Sequence, residues 1–200
     1  MRLLRPSDYR RTRWKNDGGW TTEIASCEDN CNQTDFVWRV SIAEIESDGP
    51  FSSFPGVRRD LLMLAGNGME LDINEQAPRR LDKRFEHVRF EGEDSVHCRL
   101  LAGPTRDFNV MTRRDSATAE VHARPINGTM LAFSEAGSTW LVHVFAGQIT
   151  ARTGHQAIEA GANATLIIES VSDRRERIVL EGGGELVLVR FNTLECKPAE

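Results

Sequence analysis

An all-β fold is what this 200-residue sequence predicts, arranged as two small barrels or jelly rolls in one compact chain. Three observations carry that expectation. Apolar residues recur with a period of two, the apolar runs are short and β-branched, and glycine turns separate them. No long amphipathic helix interrupts the pattern. Many short strands with glycine-rich turns indicate a sandwich or a barrel.

Taken in order, Pro6 followed by the capping residues Ser7 and Asp8 allows one short turn of helix. Gly18-Gly19 then marks a sharp turn or a close approach, and Thr21 to Ile24 has the bias of a strand start. Phe36, Trp38, Val40 and Ile42 alternate with Val37, Arg39, Ser41 and Ala43, as a half-buried strand does. Gly49-Pro50 and Pro55-Gly56 are turn signals that bracket Phe51 and Phe54. Gly66 and Gly68 precede a strand over 69–73, and 79–86 is a weak helical candidate. Phe108 and Val110 alternate with Asp107, Asn109 and Met111. Roughly a dozen strands result.

The second half has a regular cadence. Gly147, Gly154 and Gly161 fall seven apart, closing short strands over 148–152, 156–159 and 163–168. That hairpin-by-hairpin meander looks like a cupin barrel. The runs 139–146, 177–180 and 185–191 continue it. Gly68 to Asp107 and Gly147 to Leu186 both span 39 residues, which points to duplication. The expectation is therefore a double cupin with halves at 1–122 and 123–200, joined near His122–Gly128, where Pro125 and Asn127-Gly128 break the pattern. A single continuous β-sandwich is the alternative.

Composition narrows the function. A net charge of −5 argues against binding a nucleic-acid backbone. No apolar run reaches about 18 residues, so no membrane span is expected. The start, Met1-Arg2-Leu3-Leu4-Arg5-Pro6, lacks the apolar region of a signal peptide, and a cytoplasmic setting is expected. Cys27, Cys31, Cys98 and Cys196 fit reduced thiols in such a compartment. Cys27-x3-Cys31 has no second pair at zinc spacing.

Several chemistries have no signature. A metal-holding cupin presents His-x-His, but His87, His97, His122, His143 and His155 are isolated, so no metal or other cofactor is expected. No nucleophile elbow and no phosphate-cradling loop occur. A metal-independent enzyme using His97 or His143 as general base is the rival.

The first half offers polar groups suited to a small anion. Arg39 and Ser41 share one strand face, as do Asp107 and Asn109, because side chains two apart lie together. Arg59 follows the Pro55-Gly56 turn, and Lys15 and Asn16 precede Gly18-Gly19. Guanidinium suits bidentate carboxylate recognition, and lysine supplies a point charge. Asp107 and Glu23 then orient these cations or accept from a ligand. The alternative is structural: ion pairs tying strands together, with Trp14 and Trp20 as core anchors and Lys15 in solvent.

Four strings in order resemble the HutD/Ves family: Trp14-Lys15-Asn16-Asp17-Gly18-Gly19-Trp20, Phe36-Val37-Trp38-Arg39-Val40-Ser41, Gly49-Pro50-Phe51 through Arg59, and Gly103-Pro104-Thr105 through Met111. The resemblance covers most of residues 1–115 and thins out beyond. It implies a double cupin and ligand sensing or regulation linked to histidine utilisation. The implied ligand is a small carboxylate such as urocanate or formylglutamate. On this reading Lys15, Asn16, Arg39 and Arg59 hold the anion, with Glu23, Ser41, Asp107 and Asn109 as polar partners and no catalytic residue. Exposed Phe51 and Phe54 docking a protein partner is a third reading. A homodimer is expected only by analogy with cupin-like barrels. One departure stands out: Asp17 replaces the first of the family's usual three glycines.

Overall fold

The computed structural model describes residues 1–28, 36–170 and 175–194. Its regular elements are sixteen strands and one 3-10 turn. The chain divides into two compact units, Tyr9–Ser116 and a second made of Met1–Asp8 with Ala117–Glu200. The opening segment supplies β1 (Arg2–Leu4) and the short turn Pro6–Asp8, where the Asp8 carboxylate accepts from the Arg5 N–H at 2.8 Å.

In the Tyr9–Ser116 unit the chain runs through β2 (Arg10–Arg13), β3 (Gly19–Cys27), β4 (Trp38–Ile45), β5 (Gly49–Pro50), β6 (Val57–Ala65), β7 (Met69–Ile73), β8 (Arg79–Leu81), β9 (His87–Glu91), β10 (Val96–Leu100) and β11 (Thr105–Arg113). These strands form a six-stranded sheet, β2-β3-β4-β11-β6-β9, and a four-stranded sheet, β5-β10-β7-β8. Every pairing is antiparallel. Ala43, Ile45, Leu61, Met63, Val88 and Phe90 of the first sheet share one core with Met69, Leu71, Leu81, Val96 and Cys98 of the second. The helical candidate over 79–86 is corrected. Its first three residues pair with β7 as β8, and burial of Leu81 between the sheets outweighs local helix preference.

The second unit contributes β12 (Ala117–Ser134), β13 (Ser138–Thr153), β14 (Gln156–Gly161), β15 (Thr165–Glu169) and β16 (Glu176–Thr193). Their order is β1-β15-β13-β16-β12, with β14 also on β13. Strands expected to be separate are merged here. β13 runs through Gly147 and joins 139–146 to 148–152, and β16 likewise joins 177–180 to 185–191. The glycines mark a close approach of the two paired backbones: a Cβ on Gly147 would lie 1.9 Å from the Gly183 carbonyl oxygen. The register also slips between Val144 and Ala146. Val142 and Val144 before this irregularity and Ile149 and Ala151 after it belong to one aliphatic core with Leu166, Leu180, Leu186 and Leu188.

The expected joint over 122–128 lies inside β12, and the division between units falls after Ser116. Pro125 is tolerated there because β12 ends its sheet, where a missing N–H leaves no neighbour unsatisfied. Cys31 and Cys196 lie outside the described residues. Cys27 is half-buried at the end of β3, and Cys98 is a buried thiol on β10.

Candidate functional site

The interior face of the six-stranded sheet explains the site. Alternation aligns Arg39, Ser41, Ala43 and Ile45 on β4, Arg59, Leu61 and Met63 on β6, and Asp107, Asn109 and Met111 on β11. Register turns these into rows. Met111 stands between Arg39 and Arg59, Asn109 between Ser41 and Leu61, and Asp107 between Ala43 and Met63. The face is apolar at one end and polar at the other. At the polar end lies a cavity of about 720 Å³.

Seven of the eight expected residues line it: Lys15, Asn16, Arg39, Ser41, Arg59, Asp107 and Asn109. Glu23 does not. It stands in register with Ser41, but the strand bulges just after it, and its carboxylate accepts from the Ser26 hydroxyl at 3.3 Å. Trp14, Thr21, Phe51 and Phe54 complete much of the wall. Phe51 and Phe54, the docking pair of the third reading, are half-buried around the arginines.

The turn between β2 and β3 presents Lys15 and Asn16 at the rim. The Gly18 N–H donates to the Asn16 side-chain oxygen at 3.1 Å, and the Trp14 N–H to the Gly19 carbonyl at 3.0 Å. Gly19 is required by packing, since a Cβ there would lie 2.2 Å from the Glu44 carbonyl oxygen. Asp17 adopts φ 56, the left-handed region that explains a glycine preference at this position. Its side chain is 84% exposed, takes a hydrogen bond from Arg13 at 3.3 Å and is not among the residues lining the cavity. Trp14 packs against the core, and its indole N–H donates to Thr21 Oγ1 at 2.8 Å. Trp20 instead lies under Arg11 and Arg13, at 4.4 and 5.0 Å.

Arg39 and Arg59, two of the three arginines in the lining, are held by aromatic rings. Arg59 is 8% exposed, with its guanidinium 5.1 Å from Phe51, 5.0 Å from Phe90 and 5.9 Å from Phe54. Arg39 lies over Phe36 and Phe54 at 5.0 and 5.3 Å, and its Nη2 donates to Met111 Sδ at 3.1 Å. Such rings stabilise a cation that burial would otherwise penalise. Alternation sends the neighbouring Arg58 to the other face, where it meets Glu91 at 3.3 Å. Phe90, a core residue outside the lining, was not visible from sequence as the ring behind Arg59. Its place follows from the register of β9 against Arg59.

A hydrogen-bond chain crosses the floor. Arg59 Nη2 donates to Asn109 Oδ1 at 2.8 Å, and Asn109 Nδ2 donates to Asp107 Oδ1. Asp107 Oδ2 and Arg59 Nε are buried with no hydrogen-bond partner. Burial pushes the Asp107 carboxyl up from 3.8 to about 7, against the pull of Arg59 and the Asn109 hydrogen bond. Burial lowers Arg59 to about 10, opposed by Asp107 and aided by repulsion from Arg39, so it stays charged at neutral pH. The same desolvation, with Asp107 and Asp48 adding to it, raises the Cys98 thiol to about 12 and leaves it protonated.

The histidines take no part in the lining. His97 is exposed on β10, and His143 is buried on β13 with Nδ1 2.8 Å from Thr165 Oγ1. Among the described residues no group of three or more His, Cys, Asp or Glu could hold a metal ion, and no helix is long and apolar enough to cross a membrane.

An all-β protein whose first unit encloses a cationic, aromatic-walled cavity is the class that fold and site define. Its likeness to a cupin 2 conserved barrel domain protein from Leptotrichia buccalis shows a cupin-like fold, with TM-score 0.55, 8% identity and coverage of 87% of this chain and 88% of that one. The chain belongs to the HutD family, whose model matches residues 6–188. An uncharacterized 21.2 kDa protein in the hutC 3' region of Pseudomonas putida is 35% identical over 192 residues, 96% of this chain and 97% of its own. HutD from Pseudomonas fluorescens SBW25 superposes with TM-score 0.83 at 30% identity, covering 96% of this chain and 98% of that one.

Proposed function

We propose that the Tyr9–Ser116 unit binds a small carboxylate and that the protein is a ligand-binding regulator in histidine utilisation. The observation that carries this is the row Arg39–Met111–Arg59. The Arg39 and Arg59 guanidiniums flank Met111 in a cavity where Asp107 is the only acid among the described lining residues. Their mutual repulsion already lowers Arg59. An anion between them relieves that repulsion and satisfies donors in the planar geometry that guanidinium favours. Lys15 at the rim adds positive charge, as does Arg13, which is itself paired with Asp17 and Glu46. The pathway assignment draws on family membership and on the hutC setting of the Pseudomonas putida relative. Urocanate and formylglutamate are the candidate ligands, a double cupin is the proposed architecture, and the cytoplasm is the proposed setting.

Thermal shift and calorimetry with these two acids test the reading. Ligand at about 100 times its dissociation constant stabilises the fold by about 2.7 kcal/mol. Absence of any shift with either acid at millimolar concentration overturns it. One observation favours a second reading, a metal-independent enzyme acting on such compounds. Asp107 is buried in the cavity, has an unpartnered oxygen and titrates near neutrality, as a general base does. Turnover of either acid by purified protein would decide for the enzyme.

A further inference from the structure

The hydrogen-bond chain on the cavity floor has a direction. Arg59 can only donate, so Asn109 must accept with its oxygen and donate with its nitrogen. That donation occupies Asp107 Oδ1. What remains is Oδ2 of a fully buried carboxylate lining the cavity, an acceptor with nothing donating to it. Leaving such a group unmet is costly, and a site built to accept from a ligand rejects analogues that cannot donate. The arginine row and this acceptor are distinct features of one floor, two rows apart on β11. They ask for a ligand with two different ends.

We infer that Asp107 sets the specificity of the cavity: it selects small carboxylates that also carry an N–H or O–H donor over isosteric carboxylates that present an acceptor there. The inference rests on the anion-binding reading above and adds the second half of the ligand. The donor faces Asp107 Oδ2, while the carboxylate faces Arg39 and Arg59. A donor in that place also holds Asp107 ionised, against the burial that favours its proton. A ligand with only an anionic end leaves Oδ2 unmet and adds a second negative charge to the same cavity.

Two planar acids of the same shape make the test. 3-(Pyrrol-2-yl)acrylate carries a ring N–H, and 3-(furan-2-yl)acrylate carries a ring oxygen in its place. Both are titrated calorimetrically at pH about 8.5, where Asp107 is ionised. The wild-type protein is expected to bind the pyrrole acid at least about tenfold more tightly. Asp107→Asn is expected to reverse the preference. The new amide must accept from Asn109 with its oxygen, which leaves its NH2 facing the ligand and favours the furan. Asp107→Ser, which removes the carboxylate, is expected to bring the two affinities together, and thermal melts establish that each variant is folded. Equal wild-type affinity for the two acids overturns the role of Asp107 and leaves the anion reading standing. A wild-type preference that survives in a folded variant also overturns it. Binding of neither acid overturns both readings. If neither variant folds, the wild-type ratio decides.

Discussion

In the unit that contains β12 to β16, the core cluster is aliphatic on both sides of Gly147: Val142, Val144, Ile149, Ala151, Leu180 and Leu186. In the Tyr9–Ser116 unit the same alternation brings Ile45, Leu61 and Met63 inward, then Asp107 and Asn109, then Arg39 and Arg59 within a few rows. The first arrangement is what stability alone selects. The second spends stability on buried polar groups and satisfies most of them, through the Arg59–Asn109–Asp107 chain and the phenylalanine rings. It leaves Asp107 Oδ2 and Arg59 Nε unmet. Departures from a consistent core concentrate where a protein does its work. On the anion-binding proposal, the contrast assigns the ligand to one unit and leaves the other an aliphatic core.

The largest effect expected is on stability, in the aliphatic unit. Leu166→Ala, at a fully buried position, should cost about 2–5 kcal/mol in denaturant unfolding. The affinity of the folded variant for a carboxylate should not change, and a loss of affinity would break the division of labour. Next, Arg59→Ala should weaken carboxylate binding by roughly 1.5–3 kcal/mol, tenfold or more, in calorimetric titration. Its burial among three rings means that the melting temperature should fall as well. Arg58→Ala, on the other face, should change neither by much, and equal effects from the two arginines would erase the distinction between faces.

The pH dependence sharpens the same contrast. Asp107 holds its proton more tightly in the folded state than in the unfolded chain, where its value is near 3.8. Its contribution is therefore fully present at low pH. It is lost as pH rises from about 4 to about 7, by at most a few kcal/mol, and is level above that. Asp107→Asn should remove this component from stability measured across that window. A slope unchanged in the variant would mean that Asp107 is ionised throughout. The smallest effect belongs to Asp17→Gly. It relieves a left-handed backbone but loosens the unfolded chain and removes an exposed pair with Arg13, so stability should move by less than about 1 kcal/mol.

Alternation made much of the site legible, because it follows from residue order alone. Arg39 with Ser41, and Asp107 with Asn109, share their faces as the sequence implies. What order does not carry is register. Nothing in the sequence said that Met111 would stand between two arginines, or that Phe90 would lie against Arg59. Glu23 matched the composition of a site residue, but the bulge between Glu23 and Ala25 separates its strand's two ends, and it lies outside the cavity. In the second unit Gly147 and Gly182–Gly184 resembled turn residues. Gly147, Gly182 and Gly184 have positive φ, and a Cβ at any of them would strike the backbone of the paired strand, so close pairing is what they serve here. The all-β class was legible because period-two patterning ran through both units. Strand lengths were not, because a glycine inside a long strand and a glycine ending a short one look alike.

The indole of Trp14 gives the cavity an optical reporter. The chain has four tryptophans. Trp20 is covered by two arginines, Trp38 is buried outside the cavity lining, and Trp140 donates its N–H to the Phe133 carbonyl at 3.0 Å. Trp14 alone among them lines the cavity, with its N–H fixed on Thr21. A ligand entering beside it changes the polarity and charge felt by one fluorophore of known orientation and leaves the other three as an internal reference. Occupancy can then be followed by intrinsic emission without a label, and Trp14→Phe supplies the blank.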